Sequence, residues 1–305
     1  MLPSPTSLSS ETATRQRYAA AAKTPEAALC CPVHYDPKYL KIIPAEVIEK
    51  DYGCGDPSQH VHADETVLDL GSGTGKICFI AAQVVGPKGR VIGVDMTDDM
   101  LEVARRNAPV VSEHLGYANV EFRKGRIQDL ALDLELLDTM LQERPVRDTA
   151  SYLEAEALAD KLREQSPLIP TATMDVVVSN CVLNLVATRH RQQLFQEIFR
   201  VLKIGGRAVI SDIVAGVEVP AHLQQDSQLW SGCISGAFTE AAFIQAFASA
   251  GFGRLEILQR GTTPWQIVEG IAFHSMTVQA WKTALDPSTS LSARCMVNHA
   301  TKPCC

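Results

Sequence analysis

The chain has 305 residues, of which 46% are hydrophobic and 21% are charged, and its formal net charge at pH 7 is −7. This composition is that of an ordinary globular protein with one large domain, or one domain with an appended cap. The acidic balance and the lack of a basic stripe argue against a nucleic-acid partner. No apolar run approaches the roughly 18 residues of a membrane-spanning helix, so no membrane partner is expected.

The N-terminal part of the chain lacks a secretory-signal pattern and contains three cysteines. Residues 1–16 are rich in Ser, Thr and Pro and are predicted to be disordered. They lack the apolar core of a secretory signal, which favours a cytoplasmic protein, so most of the nine cysteines are expected to be reduced thiols. Residues 17–64 are predicted to form a short, partly helical N-terminal cap that contains Cys30, Cys31 and Cys54.

Strands and helices alternate from residue 65 onward. Apolar runs predict strands at residues 66–70, 90–96, 119–125, 174–180 and 207–214, and amphipathic runs predict helices at 76–86, 98–108, 192–206 and 239–253. Two more runs, at 253–259 and 273–281, are expected to complete the sheet as a C-terminal pair. This order predicts an α/β domain over residues 65–284, with a mostly parallel seven-stranded sheet and helices on both faces.

Two segments fall outside this alternation. Residues 131–170 lie between the third and fourth strands and are rich in Leu, Glu and Asp at helical spacing, which predicts a helical insertion that covers a sheet edge. Residues 285–305 lack periodicity and are predicted to be a disordered tail that contains cysteines.

A glycine-rich turn joins the first strand of the domain to its first helix. The stretch VLDLGSGTGK places Gly71, Gly73 and Gly75 where the backbone turns sharply and can approach a ligand closely. Asp69 ends the strand before this turn, and Asp95 ends the next strand, where an acid can accept both ribose hydroxyls of an adenosine. A purely structural glycine turn is the competing interpretation.

Two other nucleotide-binding patterns fit this turn poorly. A P-loop would need Gly at 70 and Ser or Thr at 77, where Leu and Ile stand, and a dinucleotide fingerprint would need Gly at 76, where Lys stands. The turn resembles the cofactor site of the Rossmann-like class I methyltransferases, which implies S-adenosylmethionine as cofactor. The residues that this resemblance assigns to cofactor binding are Asp69, Gly71, Ser72, Gly73, Thr74, Gly75, Asp95, Met96, Gly125, Arg126, Ile127 and Asn180.

Three cysteines lie in turns or loops rather than in apolar runs. Cys54 lies in YGCG, Cys181 follows the fourth strand, and Cys233 lies in a loop after the fifth strand, within the acceptor-side segment 213–240. Loops after parallel strands open on one edge of the sheet, so Cys181 and Cys233 can meet there, and the cap could bring Cys54. Each could also be a core filler. Three thiolates favour a thiophilic centre over Mg or Ca, and their spacing is unlike that of structural zinc sites.

Seven motifs make the chain similar to the arsenite S-adenosylmethionine methyltransferases over roughly residues 50–245. They are, in order, DYGCG, VLDLGSGTG, VIGVDM, SNCVLNLV, VLKIGG, ISDI and LWSGCISGAF. The resemblance implies that Cys54, Cys181 and Cys233 bind trivalent arsenic, with arsenite and methylarsenite as substrates. The third-cysteine loop reads SGCISGAF rather than the more familiar GECLGGAL, which leaves the geometry of Cys233 open.

The resemblance also implies a redox step, because methylation formally oxidises arsenic. Cys30 or Cys31 would take part in it, and an external thiol reductant, glutathione or thioredoxin, would restore the dithiol. The vicinal pair Cys304 and Cys305 could act as an arsenic-capturing arm or have no role. A monomer is expected.

Two other functions remain open. A small-molecule C- or O-methyltransferase of the quinone or sterol type would share the fold, would need a carboxylate or histidine base, and would tolerate thiol-to-serine changes. A non-catalytic thiol protein that sequesters metalloids would bind arsenite without S-adenosylmethionine, and would leave the glycine-rich turn unexplained.

Overall fold

The computed structural model describes residues 10–26, 29 and 33–284 of the chain. Within these residues, one sheet contains the strands β1 (Thr66–Leu70), β2 (Arg90–Asp95), β3 (Val120–Lys124), β4 (Met174–Asn180), β5 (Leu202–Ala215), β6 (Phe238–Thr239), β7 (Arg254–Arg260), β8 (Gln266–Val268) and β9 (Ile271–Trp281). Its main path has seven strands in the order β3-β2-β1-β4-β5-β9-β7, and the short strands β6 and β8 pair with β5 and β9. Strands β1 to β5 pair in parallel, and β9 is antiparallel to both of its neighbours on this path. The predicted fold class is confirmed.

Helices lie on both faces of the sheet. They are α1 (Ser10–Lys23), α2 (Pro37–Leu40), α3 (Ala45–Glu49), α4 (Lys76–Val85), α5 (Asp98–Leu115), α6 (Leu134–Glu143), α7 (Thr149–Gln165), α8 (Arg191–Val201), α9 (Ala221–Gln224), α10 (Ser227–Ser231) and α11 (Glu240–Ala250). Helices α4 and α5 cover one face, and α8 and α11 cover the other. None of the helices in the described part of the chain is long and apolar enough to cross a membrane.

The three consecutive valines of β4 show why this strand is central. Val176 and Val178 pack into the core beneath α4 and α5, whereas Val177 packs into the core beneath α8 and α11. Successive side chains of a strand point to opposite faces, so a strand covered on both sides needs an unbroken apolar run. β4 therefore lies in the middle of the sheet; it ends at Asn180, and Cys181 follows it.

Two sequence-based predictions are wrong in detail. Residues 10–16 are not disordered but form the first half of α1, which has no apolar periodicity and is held by tertiary contacts with α5 and α10. The helix predicted over residues 192–206 ends at Val201, because Leu202 already pairs with Met174 of β4 and starts β5.

The segment 131–170 contains α6 and α7. Helix α7 begins with a capping box, in which the Asp148 carboxylate accepts from the Ser151 backbone N–H and the Ser151 hydroxyl bonds back to residue 148. Arg163 of α7 forms a 2.9 Å ion pair with Asp129, which ties the insertion to the segment after β3.

Candidate active site

A cleft of about 940 Å³, its open mouth included, lies at the carboxyl ends of β1, β2 and β4. In open α/β sheets this edge is where ligands bind. Most of the predicted cofactor residues line it; they are Asp69, Gly71, Ser72, Gly73, Thr74, Asp95, Met96, Gly125, Ile127 and Asn180. Gly75 and Arg126 do not line it. Gly75 is the left-handed N-cap of α4, and Arg126 forms a 2.7 Å ion pair with Glu11 of α1.

The glycine-rich turn leaves its backbone open to the cleft. Gly71 and Gly73 both have positive φ angles, 67° and 52°, which glycine adopts without steric penalty. A side chain at Gly71 would overlap Val182, whereas no atom lies within 4 Å of the place where a Cβ at Gly73 would be. The turn therefore provides space for a ligand at Gly73 and close packing at Gly71.

Two carboxyl groups flank the turn, the buried Asp69 and the half-buried Asp95. Asp95 accepts hydrogen bonds from the backbone N–H of Gly73 (2.9 Å) and of Thr97 (2.8 Å), and burial raises its pKa. Burial raises the pKa of Asp69 to about 8, while a 3.2 Å hydrogen bond from the Cys78 thiol opposes this shift. The Cys78 thiol therefore contacts a residue that lines the cleft.

The structure brings the three predicted arsenic-binding cysteines together beside the cleft. Cys54, Cys181 and Cys233 are buried in one small cluster, at 7%, 8% and 3% exposure. The Cys54 and Cys181 sulfurs and a carboxylate oxygen of Asp212 lie within 4.8 Å of one another. The Cys233 thiol donates a 3.0 Å hydrogen bond to the carbonyl of Cys181, which itself lines the cleft.

Two of these cysteines have an unusual backbone conformation. The φ angles of Cys181 and Cys233 are 62° and 63°, in the left-handed region that favours glycine. For an L-residue with a Cβ this conformation costs roughly 1–2 kcal/mol. The surrounding hydrogen bonds must offset that cost, because strained residues persist only where their neighbours hold them.

Asn180 holds the loop that carries Cys54. Its Oδ1 accepts from the backbone N–H of Cys54 (2.9 Å) and Gly55 (3.1 Å), and its Nδ2 donates to the Gly55 carbonyl (2.7 Å) and the Tyr35 hydroxyl (3.2 Å). A side chain at Gly53 would collide with this amide, at 2.1 Å from Nδ2. The amide of Asn180 is thus committed to positioning the first thiol, although the residue also lines the cleft.

Asp212 is a site residue that the sequence motifs did not indicate. Its carboxylate accepts from the backbone N–H of Leu183 (2.9 Å), Asn184 (3.3 Å) and Ile213 (2.8 Å), and from the Asn184 side chain (2.8 Å). The same Asn184 amide donates to the carbonyl of Cys233 (3.4 Å). Burial raises the pKa of Asp212 to about 7, against the effect of these N–H donors. Asp212 therefore links the loops of two of the thiols.

Helix α1 also contributes to the cleft, through Glu11, Thr14 and Tyr18. Glu11 and Thr14 lie in the segment predicted to be disordered, and Tyr18 lies in the predicted cap, where no motif points to it. The remaining predicted redox cysteines, Cys30 and Cys31, and the tail pair Cys304 and Cys305, lie outside the residues that the structure describes.

The chain is similar to known methyltransferases. Residues 61–251 match the family model described as a methyltransferase domain. An arsenite methyltransferase of Aquipseudomonas alcaligenes is 35% identical over 212 residues, 68% of this chain and 51% of that protein. One of Mus musculus is 32% identical over 266 residues, 85% of this chain and 60% of that protein. This chain thus spans about half to three fifths of the length of these curated relatives.

A crystal structure agrees with the sequence comparisons. It is that of an arsenic(III) S-adenosylmethionine methyltransferase from Chlamydomonas reinhardtii, which superposes with a TM-score of 0.64 at 28% sequence identity. The match covers 84% of this chain and 76% of the other.

Proposed function

Because the chain belongs to the methyltransferase-domain family and shares most of its length with arsenite methyltransferases, we propose that it methylates trivalent arsenic with S-adenosylmethionine. The observation that carries this proposal is the position of Cys181. It lines the same cleft as the glycine-rich turn and lies in one buried cluster with Cys54 and Cys233.

The residues of the cleft fit the proposed cofactor. The Asp95 carboxylate has lone pairs beyond those used by Gly73 and Thr97, so it can accept the ribose hydroxyls. The Ser72 hydroxyl is buried without a partner among the described residues, and Ile127 offers an apolar wall for the adenine. When bound, S-adenosylmethionine supplies an electrophilic methyl group on a sulfonium.

Cys54, Cys181 and Cys233 are proposed to bind arsenic by exchange. Each thiol forms a sulfur–arsenic bond and gives its proton to a departing hydroxide, so three waters leave as arsenite enters. Arsenic held by three sulfurs keeps its lone pair and has no proton to lose, so it needs no general base. The protein contributes by orienting the two reactants. Such orientation can lower the reaction barrier by on the order of 7–11 kcal/mol relative to a bimolecular encounter.

Turnover requires a reductant, since transfer of the methyl group formally oxidises arsenic by two electrons. We propose that Cys54 with Cys30 or Cys31 supplies these electrons by forming a disulfide, and that glutathione or thioredoxin reduces it by exchange. Nine cysteines suit a reducing compartment, which supports a cytoplasmic location. We also propose that the protein is a monomer.

The alternative functions explain the site less well. A quinone or sterol methyltransferase has no use for three buried thiols beside its cofactor. A sequestering protein has no use for the cleft at the glycine-rich turn. Neither alternative is favoured.

The test is an assay of the purified protein with arsenite, S-adenosylmethionine and glutathione, with arsenic speciation of the products. We expect methylated arsenic from the wild type and at least a 100-fold loss in Cys181→Ser, because a hydroxyl is a poor ligand for a soft centre. Cys295→Ser, which changes a thiol that no motif assigns, is the control. Methylation by Cys181→Ser at the wild-type rate would refute the three-thiol site.

A further inference from the structure

Helix α1 covers one side of the cleft. Glu11, Thr14 and Tyr18 follow one another at intervals of three and four residues, which places them on one side of the helix. All three line the cleft. The 2.7 Å ion pair between Glu11 and Arg126 fixes the first turn of the helix against the segment that follows β3. This side of α1 therefore faces the place where the cofactor is proposed to bind.

The Thr14 hydroxyl has no hydrogen-bond partner among the described residues. The residue is 3% exposed, so this hydroxyl is buried. Threonines in helices often bond back to a carbonyl one turn earlier, which this one does not. A buried hydroxyl without a partner is unfavourable and needs an explanation, such as a ligand. The Ser72 hydroxyl of the glycine-rich turn shares all three properties, being buried, unpartnered and at the cleft.

Helix α1 also contacts the segments around the thiols. The Tyr52 hydroxyl, in the loop of the first thiol, donates to the carbonyl of Ala21 (3.1 Å). Arg17 donates to the Ser231 hydroxyl (3.0 Å), two residues before the third thiol. Tyr18 packs against the buried cluster that contains the three thiols. Helix α1 thus contacts both the cleft and the segments that carry the first and third thiols.

We propose that Thr14 is a cofactor-binding residue, whose hydroxyl forms a hydrogen bond with a polar atom of S-adenosylmethionine and so couples cofactor binding to the closure of α1 over the thiols. This inference rests on the proposed function for the identity of the cofactor. The cofactor supplies the partner that the fold lacks, and α1 is held over the thiols most firmly when the cofactor is bound.

The test is isothermal titration calorimetry with S-adenosylhomocysteine, which carries no transferable methyl group. We expect Thr14→Val to raise the Kd about 3- to 10-fold, the effect of one lost hydrogen bond. Thr14→Ser should restore the wild-type Kd. The melting temperature of ligand-free Thr14→Val should equal or exceed that of the wild type, because a methyl group replaces an unpartnered hydroxyl. Thr139→Val, on the exposed helix α6, is the matched control.

Hydrogen exchange provides a second measurement. S-adenosylhomocysteine should slow amide exchange over residues 10–23 in the wild type, and slow it less in Thr14→Val at equal saturation. An unchanged Kd in Thr14→Val would overturn the role of Thr14, and equal protection of α1 would overturn its coupling to the cofactor. In either case a wild type that binds S-adenosylhomocysteine leaves the proposed function standing. A wild type that does not bind it would refute the cofactor itself.

Discussion

The cofactor half and the thiol half of the site are built in different ways. The core of the cofactor half comes from β1, the glycine-rich turn and the end of the adjacent strand β2, so a continuous stretch of chain determines most of its shape. Helix α1 and the segments after β3 and β4 complete its walls. The thiol half collects Cys54, Cys181 and Cys233 from three distant segments. Side chains that contact several loops at once, Asn180 and Asp212, hold these segments together. The first half is therefore a property of a motif, and the second is a property of the whole fold.

Backbone strain differs between the halves in the same sense. In the cofactor half, glycines such as Gly71 and Gly73 take the positive φ angles. In the thiol half, Cys181 and Cys233 take them, because a glycine there could not carry a sulfur. Each costs roughly 1–2 kcal/mol that neighbouring hydrogen bonds must offset. We therefore expect the thiol half to be the more sensitive of the two to changes in the residues that support it.

The largest effect on stability is expected from Asp212→Asn. The asparagine would place an NH2 group opposite backbone N–H donors, so buried donors of Leu183, Asn184 or Ile213 would lose their partner. We expect the free energy of unfolding to fall by about 3 kcal/mol, measured by urea denaturation, and the Kd for S-adenosylhomocysteine to change less than 2-fold. Asp138→Asn, on the exposed face of α6, is the control. A large loss of cofactor affinity without a loss of stability would contradict the separation of the two halves.

Asp69→Asn tests the cofactor half through the pH dependence of protein stability. Burial raises the pKa of Asp69 to about 8, far above the value of about 3.9 in an unfolded chain. Between these values the folded state keeps a proton that the unfolded state has lost, so this group destabilises the protein as the pH rises. The contribution reaches about 1.4 kcal/mol per pH unit. Asparagine does not titrate. The free energy of unfolding, measured by urea denaturation, should therefore fall less between pH 5 and pH 7 in the variant than in the wild type.

Asp212 contributes a second, similar slope, because burial raises its pKa to about 7. Asp69→Asn should therefore remove part of the decline in stability, and Asp138→Asn should remove none of it. An unchanged slope in Asp69→Asn would mean that Asp69 is ionised in the folded protein at neutral pH.

The cofactor half could be predicted from the sequence because its signals are local. Apolar and amphipathic runs predicted the alternation of strands and helices along the chain, and the spacing of Gly71, Gly73 and Asp95 predicted where the cleft lies. Arg126, which does not line the cleft, shows the limit of this reasoning. Position in the chain placed it after β3, but its side chain turns away to Glu11, whose helix had been predicted to be disordered.

Sheet topology predicts that Cys181 and Cys233 can meet at one edge, but the role of the thiols as an arsenic site came only from the resemblance to a family. Nothing in the spacing of the cysteines indicates that the Cys233 thiol reaches the carbonyl of Cys181. Asp212 lies within an apolar strand and could have been noticed as an acid with no route to solvent, but its partners follow a different strand. Helix α1 gave no signal at all, because its contacts with other segments, rather than an apolar stripe, hold it in place.

The smallest effect is expected from Tyr35→Phe, which removes one hydroxyl from the thiol half. That hydroxyl donates to the Gly55 carbonyl (3.2 Å) and accepts from the Asn180 amide (3.2 Å), so its loss loosens the loop of Cys54. The ring remains and keeps its contact with the Lys76 ammonium, 4.0 Å from the ring centre. We expect the free energy of unfolding to fall by about 1 kcal/mol, measured in urea. Affinity for methylarsenite should fall a few-fold, and affinity for S-adenosylhomocysteine should not change. Tyr152→Phe, on the exposed side of α7, should change none of the three. If Tyr35→Phe lowered the affinities for S-adenosylhomocysteine and for methylarsenite equally, the loop of Cys54 would belong to both halves, and the division between them would lie elsewhere.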